Sequence, residues 1–246
     1  MSHFERDYRL LHRQEDLVHF RAAVKETDLD IGIRKERFND TIIPLVENII
    51  IHFRGQIEDY IKTDPVFLKS HVPHEVLPGA PAIVVEMAGA ARAAGVGPMA
   101  AVAGAIAQRV GRELQRISRD VIVENGGDIY LKTKRNRYIG IYAGKSSFSN
   151  RLAIEVHPGD TPMGICTSSG TLGHSLSYGC ADAVVILSGS TALADAVATA
   201  AGNMVRSQDD LEKAVDFALS VPGITGAMAI LNKKMAVRGR IRIIPT

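Results

Sequence analysis

The chain has 246 residues, 46% of them hydrophobic and 23% charged, with a formal net charge of +2. This composition is enough to bury a sizeable core and gives no global pull toward nucleic acid or an anionic membrane. With no Trp and only 5% aromatics, base-stacking platforms are disfavoured, and two cysteines do not make a disulfide scaffold, so a reducing compartment is expected.

The opening segment MSHFERDYRLLHRQED is charged throughout and lacks the apolar core of a secretory signal. The longest charge-free apolar stretch, Ala93 to Gln108, is rich in Gly and Ala, contains Pro98, and falls short of the roughly 20 strongly apolar residues of a membrane span. A cytoplasmic protein is expected. Residues 4–37 alternate charged and apolar positions, which predicts two or three antiparallel strands with one wet face. Asn39-Asp40-Thr41 offers capping side chains to a long helix over 40–62, with Pro44 in its first turn. The proline-rich stretch DPVFLKSHVPHEVLPGAP reads as a connector.

From Pro81 to Ser118 the pattern is helical and Ala-rich, broken at Gly95-Val96-Gly97-Pro98. Gly95 to Ala100 matches the G-x-G-x-x-G/A dinucleotide pattern, but a helix rather than a strand precedes it, so a helix–helix turn is the better reading. DVIVENGGDIYLKTKRNRYIGIYAG reads as a three-strand meander bent at Gly126-Gly127, and its Lys132, Lys134, Arg135 and Arg137 read as a solvated hairpin. LAIEVHP and DAVVILS are further strands, and Ser190 caps the helix TALADAVATAAGNMV. The helix DDLEKAVDFALSV and the hairpin MAILNKKMAVRGRIRIIP close the chain, with Arg238, Arg240 and Arg242 on one face of a last strand. Strands and helices come in blocks, which favours an α+β fold with a mixed or antiparallel sheet and packed helices, the whole of 1–246 forming a single domain.

Three stretches carry candidate chemistry. Asn125-Gly126-Gly127-Asp128 is a hairpin turn, or a place where a ligand approaches backbone with Asp128 as acceptor. Asp195 and Thr199 share one helix face and form a hard-oxygen pair suited to Mg²⁺; alternatively Thr199 bonds back along its own helix. In CTSSGTLGHSLSYGC, Thr167, Ser168, Ser169 and Gly170 can present N–H groups and hydroxyls to phosphate, without the lysine of a Walker loop. Cys166 with His174 would make an activated thiol, against the plainer reading of Cys166 as a small buried hydrophobe. The two cysteines, fourteen residues apart, do not suit a metal clip.

Taken in order, VENGGDIYL, CTSSG and ADAVATA resemble the ApbE superfamily, the FAD:protein FMN transferases, and the stretch TSSGTLGHSLSYGCADAVV is most similar to its branch called uncharacterised protein family 0280. The resemblance covers about Pro98 to Asn203 and implies an ApbE-like fold. It implies flavin-nucleotide contacts near Asn125, Gly127 and Asp128, and a Mg²⁺ site of Asp195 and Thr199 completed by a backbone carbonyl around Gly104 to Ala107. FAD or FMN is the implied cofactor, and a protein hydroxyl the implied acceptor if transfer occurs; a homodimer is left open. Two departures stand out: Gln108-Arg109 replaces a Lys-Gly, and only Gly173-His174-Ser175 remains of a His-x-x-x-Asp-Pro-x-x-Gly segment. Two other readings stay open. The branch's link to sulfur mobilisation implies a persulfide carrier working through Cys166 or Cys180, and an inert structural or regulatory subunit is the third reading.

Overall fold

The computed structural model describes residues 14–170 and 178–246. The N-terminal alternation resolves into β1 (Leu17–Val24) and β2 (Thr27–Arg34), an antiparallel hairpin; the expected strand residues 4–13 lie outside the described residues. The long helix is α1 (Ile42–Thr63), which buries Ile42, Val46, Ile50, Ile57 and Tyr60 along one stripe. Asn39, not Thr41, supplies the side-chain acceptor at its start, taking the Thr41 N–H at 3.0 Å. The connector is not wholly irregular: Pro65 opens the short helix α2 (Pro65–Lys69), since a proline at the first helical position sacrifices no helical hydrogen bond.

Helices α3 (Ala82–Ala94) and α4 (Val102–Leu114) flank the glycine turn, where Gly95 adopts the left-handed C-cap conformation with φ of 74°. This is the helix–helix turn expected above. Among the described residues no single helix is long and apolar enough to cross a membrane; α3 and the segment Pro98–Leu114 together have the composition but bend by 104°.

Strands β3 (Val121–Asn125) and β4 (Asp128–Lys132) form a tight hairpin across Gly126 and Gly127, with φ of 66° and 105°. Both turn residues need positive φ, which glycine adopts without a Cβ clash. The meander does not continue. β5 (Arg137–Gly140) leaves the sheet and pairs with β6 (Leu152–Val156) in a second one. The cause lies in the residues read as a solvated hairpin. Arg137 is buried, donating to Asp16 at 2.5 and 2.9 Å and to Asp120 at 3.2 Å, and this pulls the chain inward.

β7 (Met163–Ser168), β8 (Ala183–Ser188), α5 (Thr191–Met204), α6 (Leu211–Ser220), β9 (Ile224–Leu231), β10 (Lys234–Gly239) and β11 (Ile243–Pro245) complete the chain. Ser190 caps α5 as expected, accepting the Leu193 N–H at 3.3 Å. The closing arginines do not share a strand face. Gly239, at φ of 80°, ends β10; Arg238 meets Asp216 on α6, whereas Arg242 reaches Asp160.

The eight-stranded sheet has the order β1-β2-β3-β4-β7-β8-β9-β10, the small sheet β11-β6-β5, and every pairing is antiparallel. The helices cover one face of the large sheet through Ile31, Val123, Tyr130, Val184 and Ala229. The small sheet packs on the other through Ile122, Leu131, Ile165, Val185 and Ile230. Both faces are therefore dry, which is why VIVEN and AVVILS run apolar without alternation. The α+β expectation with an antiparallel sheet and packed helices holds.

Candidate functional site

The site lies where the β3–β4 turn, the end of β7, the start of α4 and the middle of α5 meet on the helix-covered face. Strand periodicity sets it up. Val121, Val123 and Asn125 share the helix face of β3, and Asp128 stands opposite Asn125 across the turn. On the next strand Asp128 stands opposite Cys166. Asp195 descends from α5 onto the same place.

Asp195 is buried and its carboxylate accepts N–H bonds from the first turn of α4, from Gly104 at 2.8 Å and from Ala103. These are the donors that a helix start leaves unpaired, and α4 has no side-chain cap of its own. Gly104 permits the approach: a Cβ there would lie 2.5 Å from the Thr191 carbonyl and 2.8 Å from the Asp195 Cβ. Even with those donors, burial pushes the Asp195 carboxyl up to about 7.

Asp128 is buried beside it. Burial first, then the Asp195 charge, push its carboxyl well above the usual range; the Cys166 thiol and the Thr167 N–H pull the other way. Two buried carboxylates thus lie close enough for the Asp195 charge to act on Asp128, and the Glu124 charge adds to it. Glu124, just before the turn, holds the Gly127 N–H at 2.8 Å.

Cys166 is fully buried, with its thiol 3.3 Å from the Thr191 carbonyl and within reach of Asp128. Burial, then the charges of Asp128 and Asp195, push the thiol well above its usual range, the reverse of what a nucleophilic thiol needs. His174 lies outside the described residues. Both cysteines are free, and Cys180 is exposed with its thiol on the Arg206 carbonyl at 3.1 Å.

The phosphate-loop expectation changes in detail. Thr167 and Ser168 are the end of strand β7, paired with Val185 and Val184, rather than a loop. The Thr167 N–H is engaged by Asp128 and the Gly170 N–H by the Ala181 carbonyl at 2.9 Å. An open nest of backbone donors is therefore not formed at these two positions. Gly127 comes against this strand, where a Cβ would sit 3.4 Å from the Thr167 carbonyl, so the turn and strand end form one wall. Gly126 is exposed at the tip.

Thr199 follows Asp195 by one turn and is half-buried. Ala107 is fully buried one turn beyond Gly104. The α4 groups that reach Asp195 are N–H donors, not that carbonyl. Among the described residues no group of three or more His, Cys, Asp or Glu side chains forms a ready cation cage.

Sequence reasoning missed the structural role of the buried Gln108 behind the site. Gln108 accepts the Thr191 N–H at 2.7 Å, so it fixes the first residue of α5, and its amide donates to Glu86 on α3. Glu86 also takes Arg109 at 2.5 Å. The Gln108-Arg109 departure is thus a tie among three helices. Asn125 donates to the Ala103 carbonyl at 3.0 Å and pins α4 to the turn. A polar residue inside an Ala-rich helix was the available signal for Gln108.

Fold and site together define an antiparallel α+β protein with a pair of buried carboxylates between a glycine turn and two helix segments. The chain belongs to the family described as AbpE bacteria, whose model matches residues 9–237. It is 36% identical over 230 residues to a UPF0280 protein of Methanococcus aeolicus, covering 92% of this chain and 91% of that one. It is 41% identical over 199 residues to a UPF0280 protein of Methanocella arvoryzae, covering 80% and 81%. Among solved structures, the flavin transferase ApbE of Vibrio cholerae shares the fold with a TM-score of 0.58 at 16% identity, covering 91% of this chain and 96% of that chain. The apo flavinyl transferase ApbE of Pseudomonas stutzeri gives 0.57 at 14% identity, covering 91% and 94%. The resemblance drawn from three short motifs therefore extends over nearly the whole chain.

Proposed function

We propose that this protein binds a flavin nucleotide, or a ligand of the same phosphate-bearing kind, together with Mg²⁺ at Asp128 and Asp195. The observation that carries this reading is the buried carboxylate pair. Two like charges in a dry site are unfavourable unless one is protonated or a cation lies between them. The donor set fits a hard divalent ion that keeps some waters and shares phosphate oxygens, because two carboxylates and the Thr199 hydroxyl leave coordination positions for a ligand. The resemblance adds the Ala107 carbonyl to that set. Bound there, the cation would neutralise charge on the ligand's phosphate oxygens.

This chain's own residues supply the rest. The Gly126-Gly127 turn lets a ligand approach backbone, the Thr167 and Ser168 hydroxyl groups stand at the adjoining strand end, and Gln108 holds the start of α5. Transfer of FMN to a Ser or Thr hydroxyl, with the pyrophosphate bond broken and AMP leaving, is the fuller form of the reading. Two solved structures of this fold, those of Vibrio cholerae and Pseudomonas stutzeri, are flavin transferases, and that supports it. Where the transferase pattern has Lys-Gly, Gln108 here is occupied in tying α4 to α5 and α3.

Isothermal titration with FAD and MgCl₂ is the test. Heat from wild type that disappears in Asp195→Ala and weakens in Asp128→Asn supports the reading. Silence from wild type, or unchanged binding by Asp195→Ala, removes it.

A further inference from the structure

The turn beside the carboxylate pair carries the chain's one Asn-Gly sequence, Asn125-Gly126. An asparagine before glycine is open to ring closure, because a residue without Cβ leaves its backbone nitrogen unshielded. The Gly126 nitrogen attacks Cγ of Asn125 and gives up its proton, ammonia leaves, and a succinimide remains. Water then opens either carbonyl of that ring, which yields aspartate or isoaspartate at position 125. Water is the only co-reactant. One side of the turn is open to this chemistry: Gly126 is exposed, and a Cβ built on it would meet no described residue within 4 Å.

Two locks hold the asparagine back. Its side chain is buried, and Nδ2 donates to the Ala103 carbonyl at 3.0 Å, which commits the amide to the start of α4. Its backbone is paired with Leu29 on β2 and with Asp128 on β4, which keeps it extended. Ring closure needs the amide to leave Ala103 and the backbone to rotate, so it proceeds from a locally opened turn and its rate follows that opening. Once formed, the acid has no N–H for the Ala103 carbonyl. It sets a carboxylate against that oxygen, next to buried Glu124 and opposite Asp128. Isoaspartate also adds a methylene to the backbone and disturbs the ladder. Ala103 and Gly104 carry the N–H groups that Asp195 accepts, so loosening the start of α4 reaches the second carboxylate. We propose that Asn125-Gly126 is a spontaneous deamidation site, guarded by the Ala103 carbonyl and the β2–β3–β4 ladder, whose conversion unfastens α4 from the carboxylate pair and ends ligand binding irreversibly. The loss of binding rests on the function proposed above; the chemistry and the loosening of α4 do not.

The test ages the full-length protein at mildly alkaline pH, native and in denaturing urea, in water enriched in heavy oxygen, and locates the label by peptide mass spectrometry. Label should enter the peptide holding Asn125 in both samples, with the native rate slower by about tenfold or more. Gly104→Ala, whose Cβ would fall 2.5 Å from the Thr191 carbonyl and force α4 away, should raise the native rate severalfold. Should that variant not fold, wild type in sub-denaturing urea gives the same readout. Asn125→Gln, which would have to close a larger ring, should leave the peptide unlabelled. Native protein that stays unlabelled over weeks, or is labelled as fast as the unfolded chain, overturns the proposal, as does equal labelling in Asn125→Gln or no gain in rate when α4 is loosened. Ion exchange then separates the aged form by its added negative charge. That form should unfold at lower urea than unaged protein and bind FAD with Mg²⁺ about tenfold more weakly or worse. An unchanged urea midpoint, or affinity equal to that of unaged protein that does bind, overturns the unfastening. If the aged form is less stable but unaged protein itself gives no heat with FAD and Mg²⁺, the modification stands and the function proposed above falls.

Discussion

Replacing Asp195 by Asn tests the energetics of the buried pair directly. In the cation-free protein the Asp195 carboxyl titrates near 7 against an ordinary 3.8. A folded-state pKa raised above the unfolded one means that the folded chain holds a proton the unfolded chain has released. Stability from this group is therefore full below about pH 4 and is lost as pH rises through about 7. Three units at 1.36 kcal/mol each put the loss at about 4 kcal/mol. The Asn oxygen can still accept from Gly104 and Ala103, so the variant keeps the helix contact without the charge. Urea melts between about pH 4 and pH 9 in chelator should show wild type losing stability from about pH 4 to about pH 7 and levelling off above it, while Asp195→Asn stays flatter throughout. Millimolar MgCl₂ should restore wild type and leave the variant unmoved. Parallel pH slopes for the two proteins in chelator would refute the reasoning, because Asp195 would then carry no penalty for ionising.

Gly104→Ala should lower stability by about 1–3 kcal/mol and weaken Mg²⁺-dependent FAD binding together. Its Cβ would fall 2.5 Å from the Thr191 carbonyl, roughly 1 Å inside normal contact, and would force α4 off α5; chemical denaturation with calorimetry checks both. Arg137→Ala strands the buried Asp120 and should cost about 3–5 kcal/mol in a urea melt without changing ligand affinity. Asp16 is held below the usual carboxylate range by Arg137, and Asp120 by its Lys134 N–H and Thr133 bonds together with Arg137, despite its burial. The stability they contribute is present above about pH 4 and should fade as pH drops through the lowered values, visible as an acid melt that Arg137→Ala flattens. Iodoacetamide should label exposed Cys180 before Cys166 in native protein, and equal fast labelling of Cys166 would revive a thiol role.

What the sequence determined by itself is local. The stripe of α1, the Ser190 cap, the Gly126-Gly127 turn and the break at Gly95 each depend on residues within a few positions of one another. Periodicity, hydroxyl capping and positive φ act at that range. Asp128, Cys166, Thr167 and Asp195 were each singled out in the chain, and the order of their motifs resembled a known family. Their convergence was not legible, because it depends on strands β3, β4 and β7 being neighbours and on α5 crossing them.

Tertiary structure alone decided the rest. Arg137 looked solvated because its sequence neighbours are charged, yet Asp16 and Asp120, distant in sequence, bury it and send β5 to another sheet. Gln108 looked like a departure from a motif until Thr191 and Glu86 closed on its amide. Thr167-Ser168 looked like a loop because small polar residues favour turns, but pairing with β8 extends the strand through them. In each case the partner comes from a remote segment. A charge or polar group becomes structural or functional only when folding removes its water and brings that partner to it.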